Sequence, residues 1–208
     1  MRKWSRQDYQ TMPWKNGAGS TTELAIFPEG ASLENFFWRL STAQVSAAGP
    51  FSHFARIDRS LAILSGDGLI LHSDSELSSA FSVTLDPSSM PYRFAGETAI
   101  HAEPCGGAVL DLNLMTRRDV CQHFMQRLLA GEHHVVATDA QQVLLYCAQG
   151  SASIESGDSL QAGDLILFEE EHEHAGIELH INAEESAVLY LMRISFLNQG
   201  EGNYAAMG

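Results

Sequence analysis

The stretch VLDLNLM, residues 109–115, predicts a strand with two chemically different faces. Because side chains alternate along a strand, its leucines share one face, whereas Asp111, Asn113 and Met115 share the other. The leucine face belongs against a hydrophobic core. Asp and Asn are poor strand formers, so finding both at alternate positions indicates either a binding function or an edge strand whose polar face meets water.

Short runs of this kind dominate the chain and are separated by clusters of Gly, Pro, Ser and Asp. The first half contains TTELAIF, FFWRLSTAQV, SLAILSGDGLILH, AFSVTL and AVLDLNLM, and the second contains QVLLYCAQG, SASIES, DLILFEE, GIELHI and AVLYLMRISF. The two series align with an offset of about 80 residues, which indicates an internal duplication. Evenly spaced short strands are typical of jelly-roll barrels, so we expect an all-β protein with two such units.

Between the two series, residues 117–132 are predicted to form one connecting helix. Thr116 and Asp119 fit a capping box, and a glycine follows as a helix stop. Apolar residues recur at every fourth position from Val120 and from Cys121, which gives a broad apolar stripe. The predicted units are, in order, an N-terminal barrel with a ligand pocket, the helix, a C-terminal barrel and a flexible tail, over residues 1–116, 117–132, 133–198 and 199–208.

The charge of the chain is distributed unevenly. The net charge is −14, yet only two of the 12 basic residues, Arg127 and Arg193, follow Asp119. So acidic a chain repels phosphate backbones, which argues against nucleic-acid binding and assigns any anion site to the first half. With no apolar run of bilayer length and no signal peptide, we expect a cytoplasmic protein that does not contact membranes.

Five sequence blocks resemble the HutD/Ves family of double-cupin proteins. They are PWKNGAGSTTEL (13–24), WRLSTAQV (38–45), GPFSHF (49–54), DRSLAILSGDG (58–68) and VLDLNLMTRR (109–118). The second half matches only in its general β pattern. The resemblance implies a bicupin linked to histidine utilisation or to stress. It also implies a non-catalytic regulator whose first barrel binds a pathway intermediate such as formiminoglutamate or urocanate. A homodimer is left open.

Polar residues opposite the apolar strand faces are the candidate ligand contacts. Basic side chains would neutralise the carboxylates of a small anionic metabolite, and the amides and a serine would hydrogen-bond its polar groups. A carboxylate would meet a cationic formimino or imidazole group. The predicted ligand-binding residues are Lys15, Asn16, Glu23, Arg39, Ser52, Arg59, Asp111 and Asn113.

Several of these residues also have a purely structural interpretation. The WKNGAGST loop fits a turn that tucks Trp14 into the barrel, and Arg39 fits an exposed strand face as well as a pocket. Arg59 could instead form a local ion pair with its neighbour Asp58. His53 in GPFSHF is interpreted as a structural histidine.

The sequence predicts neither a resident metal nor another cofactor. Metal-binding cupins use a His-x-His with a downstream Glu and a further His, whereas the histidines of the first half stand alone. His172 and His174 form a His-x-His, but the acidic run EEEHEHAG is more typical of a solvated turn. The alternative to a binding protein is a metal-independent cupin enzyme, an isomerase or hydrolase, with Asp111 or Glu23 as general base.

Overall fold

Nearly every alternating or apolar run in the sequence forms a strand. The computed structural model describes residues 1–73, 81–170 and 176–197. Apart from one 3-10 turn, Arg6–Asp8, the regular structure in these ranges is β. No helix in them is both long and apolar enough to cross a membrane. The strands are, in chain order, Arg2–Trp4 (β1), Gln10–Pro13 (β2), Gly19–Phe27 (β3), Trp38–Val45 (β4), Gly49–Pro50 (β5), Ile57–Ser65 (β6), Leu69–Ser73 (β7), Phe81–Leu85 (β8), Tyr92–Ala95 (β9), His101–Pro104 (β10), Val109–Arg117 (β11), Cys121–Leu128 (β12), His133–Thr138 (β13), Gln142–Gln149 (β14), Ser151–Ile154 (β15), Ser159–Gln161 (β16), Leu165–Glu169 (β17), Ile177–Ala183 (β18) and Val188–Phe196 (β19).

The strands form four sheets, two in each barrel. The first barrel combines a six-stranded sheet of order β2-β3-β4-β11-β6-β9 with a four-stranded sheet of order β5-β10-β7-β8. The second combines a five-stranded sheet, β1-β17-β14-β19-β12, with a four-stranded sheet, β13-β18-β15-β16. The all-β prediction is confirmed. One boundary differs from the predicted one, because β1 pairs with β17 and therefore belongs to the second barrel.

The predicted connecting helix over residues 117–132 is wrong. Its central part is β12, Cys121–Leu128, which pairs antiparallel with β19. Alternate residues from Cys121 through His123 to Met125 are buried, as in a strand with one covered face. A spacing of four residues fits a helical period of 3.6 and a strand period of 2 equally well, so the apolar stripe could not distinguish them.

The leucine face of β11 is buried between the two barrels. Leu112 and Leu114 pack with Leu144 and Met192 of the five-stranded sheet, and all four are fully buried. Burying each such side chain contributes about 1.5–3 kcal/mol. The opposite face of β11, with Asp111, therefore points into the first barrel.

Polar contacts also cross the junction between the barrels. The ring of His123 exchanges hydrogen bonds with Ser60 Oγ at 2.8 Å and Thr116 Oγ1 at 2.6 Å. The Trp38 indole N–H donates to Gln142 Oε1 at 2.7 Å. Burial lowers the pKa of His123 to about 4, so the histidine is neutral at ordinary pH.

Candidate functional site

Polar side chains of the six-stranded sheet stand in rows across the interior of the first barrel. In the first row, Met115 of β11 lies between Arg39 of β4 and Arg59 of β6. In the second row, two residues further along β11, Asn113 lies beside Ser41. Directly opposed residues of an antiparallel pair are close enough for their side chains to interact. The register therefore brings together polar residues that are far apart in sequence.

The third row begins with Asp111, which is opposite Ala43 of β4. Positions two apart on a strand are separated by about 6.5–7 Å, so Asp111 lies about 13 Å along β11 from the arginine row. The floor of the barrel therefore changes along one direction from cationic to amide and hydroxyl, and then to acidic.

These rows form the floor of a cavity of about 540 Å³. Seven of the eight predicted residues line it, namely Lys15, Asn16, Arg39, Ser52, Arg59, Asp111 and Asn113. The eighth, Glu23, reaches the site through its contact with Arg39. Of the lining residues, Lys15, Asn16 and Ser52 are exposed and lie towards solvent, whereas the arginines, Asp111 and Asn113 are buried. Their part in ligand binding stays a prediction.

Arg39 is held by an ion pair inside the protein. It is only 6% exposed, so the surface interpretation is wrong. Its Nε donates to Glu23 Oε2 at 2.7 Å, and its Nη1 donates to Ser41 Oγ at 3.3 Å. Because Glu23 already compensates this positive charge, Arg39 offers an incoming anion orientation more than uncompensated charge.

Arg59 is enclosed by aromatic rings. Its Cζ lies 4.9 Å from the ring centre of Phe51, 5.1 Å from Phe94 and 5.9 Å from Phe54. Its Nη1 donates to the Ser52 carbonyl at 3.4 Å, while its buried Nε has no hydrogen-bond partner in the described part of the chain. Burial lowers the pKa of Arg59 to about 10, so the guanidinium remains charged at neutral pH.

Asp111 and Asn113 are buried polar groups with unused hydrogen-bonding atoms. They are 2% and 8% exposed, and neither Oδ1 has a hydrogen-bond partner among the described residues. Burial raises the pKa of Asp111 to about 7, although Arg59 and the Ala43 N–H oppose the shift. A carboxyl with that pKa is part ionised and part protonated near neutral pH.

The purely structural interpretations of Arg59, Trp14 and His53 have different outcomes. Asp58 does not pair with Arg59, since it accepts hydrogen bonds from Arg93 and Arg118. Trp14 does pack against the core of the first barrel, yet it also lines the cavity. His53 is exposed and does not line the cavity.

Sequence reasoning did not assign the aromatic cage around Arg59. Phe51 and Phe54 lie in the block GPFSHF, close in sequence to the predicted ligand contact Ser52. That proximity was the available indication that they could lie near the cavity. Phe94 reaches Arg59 only because β9 pairs with β6, and no local pattern reports that pairing. Met115 was recognised as sharing a face with Asp111, but not as a residue lining the pocket.

Within the described ranges, no three His, Cys, Asp or Glu side chains come together as metal ligands would. His172 and His174 lie outside the described residues.

The family model HutD matches residues 6–190. The chain belongs to the HutD family. Among curated relatives, it is 39% identical over 109 residues to an uncharacterised 21.2 kDa protein in the hutC 3′ region of Pseudomonas putida. It is 38% identical over 119 residues to the protein Ves of Citrobacter koseri. The matched segments cover 52% and 55% of this chain, and only 54% and 59% of those relatives.

Solved structures share this fold over more than nine tenths of the chain. A conserved protein of unknown function from Pseudomonas aeruginosa is similar with a TM-score of 0.82 and 31% identity, over 93% of this chain and 98% of that one. HutD from Pseudomonas fluorescens, in a formate condition, is similar with a TM-score of 0.80 and 25% identity. That match covers 95% of this chain and 99% of the other. An oxalate decarboxylase from Lactobacillus farciminis has a TM-score of 0.63 and 10% identity, over 96% of this chain and 87% of that one. This match shows the fold alone. The cupin fold predicted for this HutD-family protein is thus confirmed.

Proposed function

We propose that this protein is a non-catalytic regulatory protein that senses an anionic intermediate of histidine catabolism, formiminoglutamate or urocanate, in its first barrel. The observation that carries the proposal is Arg59, a buried guanidinium that lines the cavity and has no carboxylate hydrogen-bonded to it among the described residues. Arginine suits this role because its planar fork binds a carboxylate through two hydrogen bonds.

The dimensions and polarity of the cavity support a small polar ligand. A volume of about 540 Å³ falls within the range usual for small-molecule sites. Family membership agrees with the link to histidine utilisation, since one relative is encoded in the hutC 3′ region.

The rows suggest how such a ligand would lie. A first carboxylate would bind at Arg59, oriented by the neighbouring Arg39, and a second would lie towards Lys15 at the mouth. The cationic formimino or imidazole group would point to Asp111, since Glu23 is already engaged by Arg39. Asn16, Ser52 and Asn113 would complete the hydrogen bonds.

Thermal shift measurements with formiminoglutamate, urocanate, histidine and glutamate test the proposal. At least one of the first two is expected to raise the melting temperature of the wild type. Arg59→Met, which keeps the length of the side chain, is expected to weaken binding by about 10- to 100-fold, because hydrogen bonds to a charged group contribute about 1.5–3 kcal/mol. Arg93→Met removes an arginine outside the cavity and serves as the matched control. If neither formiminoglutamate nor urocanate stabilises the wild type, or if Arg59→Met binds unchanged, the proposal fails.

One observation favours a second candidate, a metal-independent isomerase or hydrolase. The pKa of Asp111, about 7, suits a general base at neutral pH. Turnover of formiminoglutamate or urocanate by the purified protein, abolished in Asp111→Asn, would establish this alternative in place of the sensor.

A further inference from the structure

The ionisable side chains around Asp111 come mainly from its own sheet. Those that line the cavity with it are Arg59 on β6, Arg39 on β4 and Lys15 in the β2–β3 turn, and Glu23 on β3 is joined to Arg39. The opposing sheet presents Ala102 and Pro50 to the cavity. Since strand residues alternate, His101 and Glu103 on either side of Ala102 point to the outer face.

The charges at the floor of the cavity nearly cancel before any ligand binds. Arg39 is paired with Glu23 at 2.7 Å. Arg59 and Asp111 remain, and their charges cancel when Asp111 is ionised. A carboxylate that enters this floor adds a buried negative charge with no counter-charge, which is costly in a poorly solvated site. Protonation of Asp111 removes that excess charge and gives its carboxyl an O–H donor.

We infer that a ligand whose only charged groups are carboxylates binds together with one proton, which Asp111 takes up from solvent, whereas a ligand with a cationic nitrogen replaces that proton. The inference rests on the proposed function, since it concerns the same cavity. In the first kind of complex, the Asp111 O–H donates a hydrogen bond to the ligand. In the second, the ionised Asp111 accepts one from the cationic N–H. Asp111 thereby determines which ligands the site prefers at a given pH.

The proton affinity of Asp111 supports this coupling. Burial raises the pKa of this carboxyl to about 7, against the opposing effects of Arg59 and the Ala43 N–H. Asp111 is then mostly ionised at pH 8 in the free protein and has to gain a proton when a plain carboxylate binds. Affinity for such a ligand should fall about fivefold from pH 7 to pH 8 and about tenfold from pH 8 to pH 9.

Calorimetric titration of the full chain, in buffers of different ionisation enthalpy, counts the protons directly. The two probes are glutarate, which carries only carboxylates, and formiminoglutamate, which adds a cationic formimino group. At pH 8, glutarate binding is expected to take up about 0.9 proton, and formiminoglutamate binding close to none. In Asp111→Asn, glutarate should bind without proton uptake and with an affinity independent of pH. Glu103→Gln, which neutralises an exposed carboxylate on the outer face, should keep the uptake.

The outcomes separate this inference from the proposed function. Glutarate binding without proton uptake in the wild type overturns the inference alone, and this measurement needs no variant. Uptake that persists in Asp111→Asn overturns it as well. If neither probe binds the wild type at pH 6.5 or at pH 8, the inference fails, and the proposed function fails for formiminoglutamate.

Discussion

Replacing Asp111 by Asn should stabilise the ligand-free protein, with a gain that depends on pH. The carboxyl has a pKa of about 7 in the folded protein, against 3.8 as its ordinary value. Each unit of difference corresponds to about 1.4 kcal/mol, so ionised Asp111 costs the fold about 4 kcal/mol. Because the folded-state pKa is raised, this cost is absent below pH 3.8, grows as the pH rises towards 7 and is complete above it. Asparagine keeps the shape of the side chain without the charge.

Urea unfolding of the wild type and Asp111→Asn at pH 5, 6, 7 and 8 measures the effect. The variant should be more stable by about 4 kcal/mol at pH 8, and the difference should shrink by about 1.4 kcal/mol for each pH unit below 7. Asp58→Asn is the control with the opposite sign. Although burial opposes them, hydrogen bonds from Arg93 and Arg118 lower the pKa of Asp58, so its neutralisation should destabilise the protein at pH 8. Equal or lower stability of Asp111→Asn at pH 8 would refute the conclusion that ionisation of the buried Asp111 carboxyl costs stability.

Three further predictions concern the framework around the cavity. Burial lowers the pKa of His123 from 6.5 to about 4, so protonating this histidine at low pH costs the folded state stability. Between pH 7 and pH 4.5 the wild type should lose about 2 kcal/mol relative to His123→Gln, measured in the same urea titrations. Gly19→Ala would place a Cβ against the Gln44 carbonyl and 2.9 Å from a tryptophan ring. It should therefore lower the free energy of unfolding by about 1–3 kcal/mol. The control Gly49→Ala, with open space around its Cβ, should leave the free energy of unfolding unchanged. Trp38→Phe leaves a buried glutamine oxygen without its donor and should cost about 1–3 kcal/mol, which calorimetric melting would detect.

The alternation in VLDLNLM was sufficient to predict both the buried face of β11 and the polar face that lines the cavity. The same rule identified Arg39, because WRLS alternates as clearly. Local pattern carries this information since a strand has a fixed period of two residues, whatever it packs against. Of the seven predicted residues around the cavity, Arg39, Arg59, Asp111 and Asn113 are placed by that period combined with strand pairing. The other three, Lys15, Asn16 and Ser52, lie in the connections between strands.

The features that the sequence did not reveal depend on partners distant along the chain. β12 was predicted as helix because a four-residue spacing suits both periods, and only its pairing with β19 decides between them. The cage around Arg59 includes Phe94 through the pairing of β6 with β9. The shifted pKa of Asp111 reflects how completely the barrel buries it, which composition alone does not report.

The first strand of the chain completes the sheet of the second barrel, although it precedes the whole of the first. Arg2–Trp4 forms the edge of the five-stranded sheet beside β17, while the intervening residues build the other barrel. A cut between the two repeats would therefore leave the N-terminal fragment with an orphan strand and the C-terminal fragment with a bare sheet edge. Experiments that seek to isolate the second barrel should therefore carry Arg2–Trp4 over to the C-terminal piece.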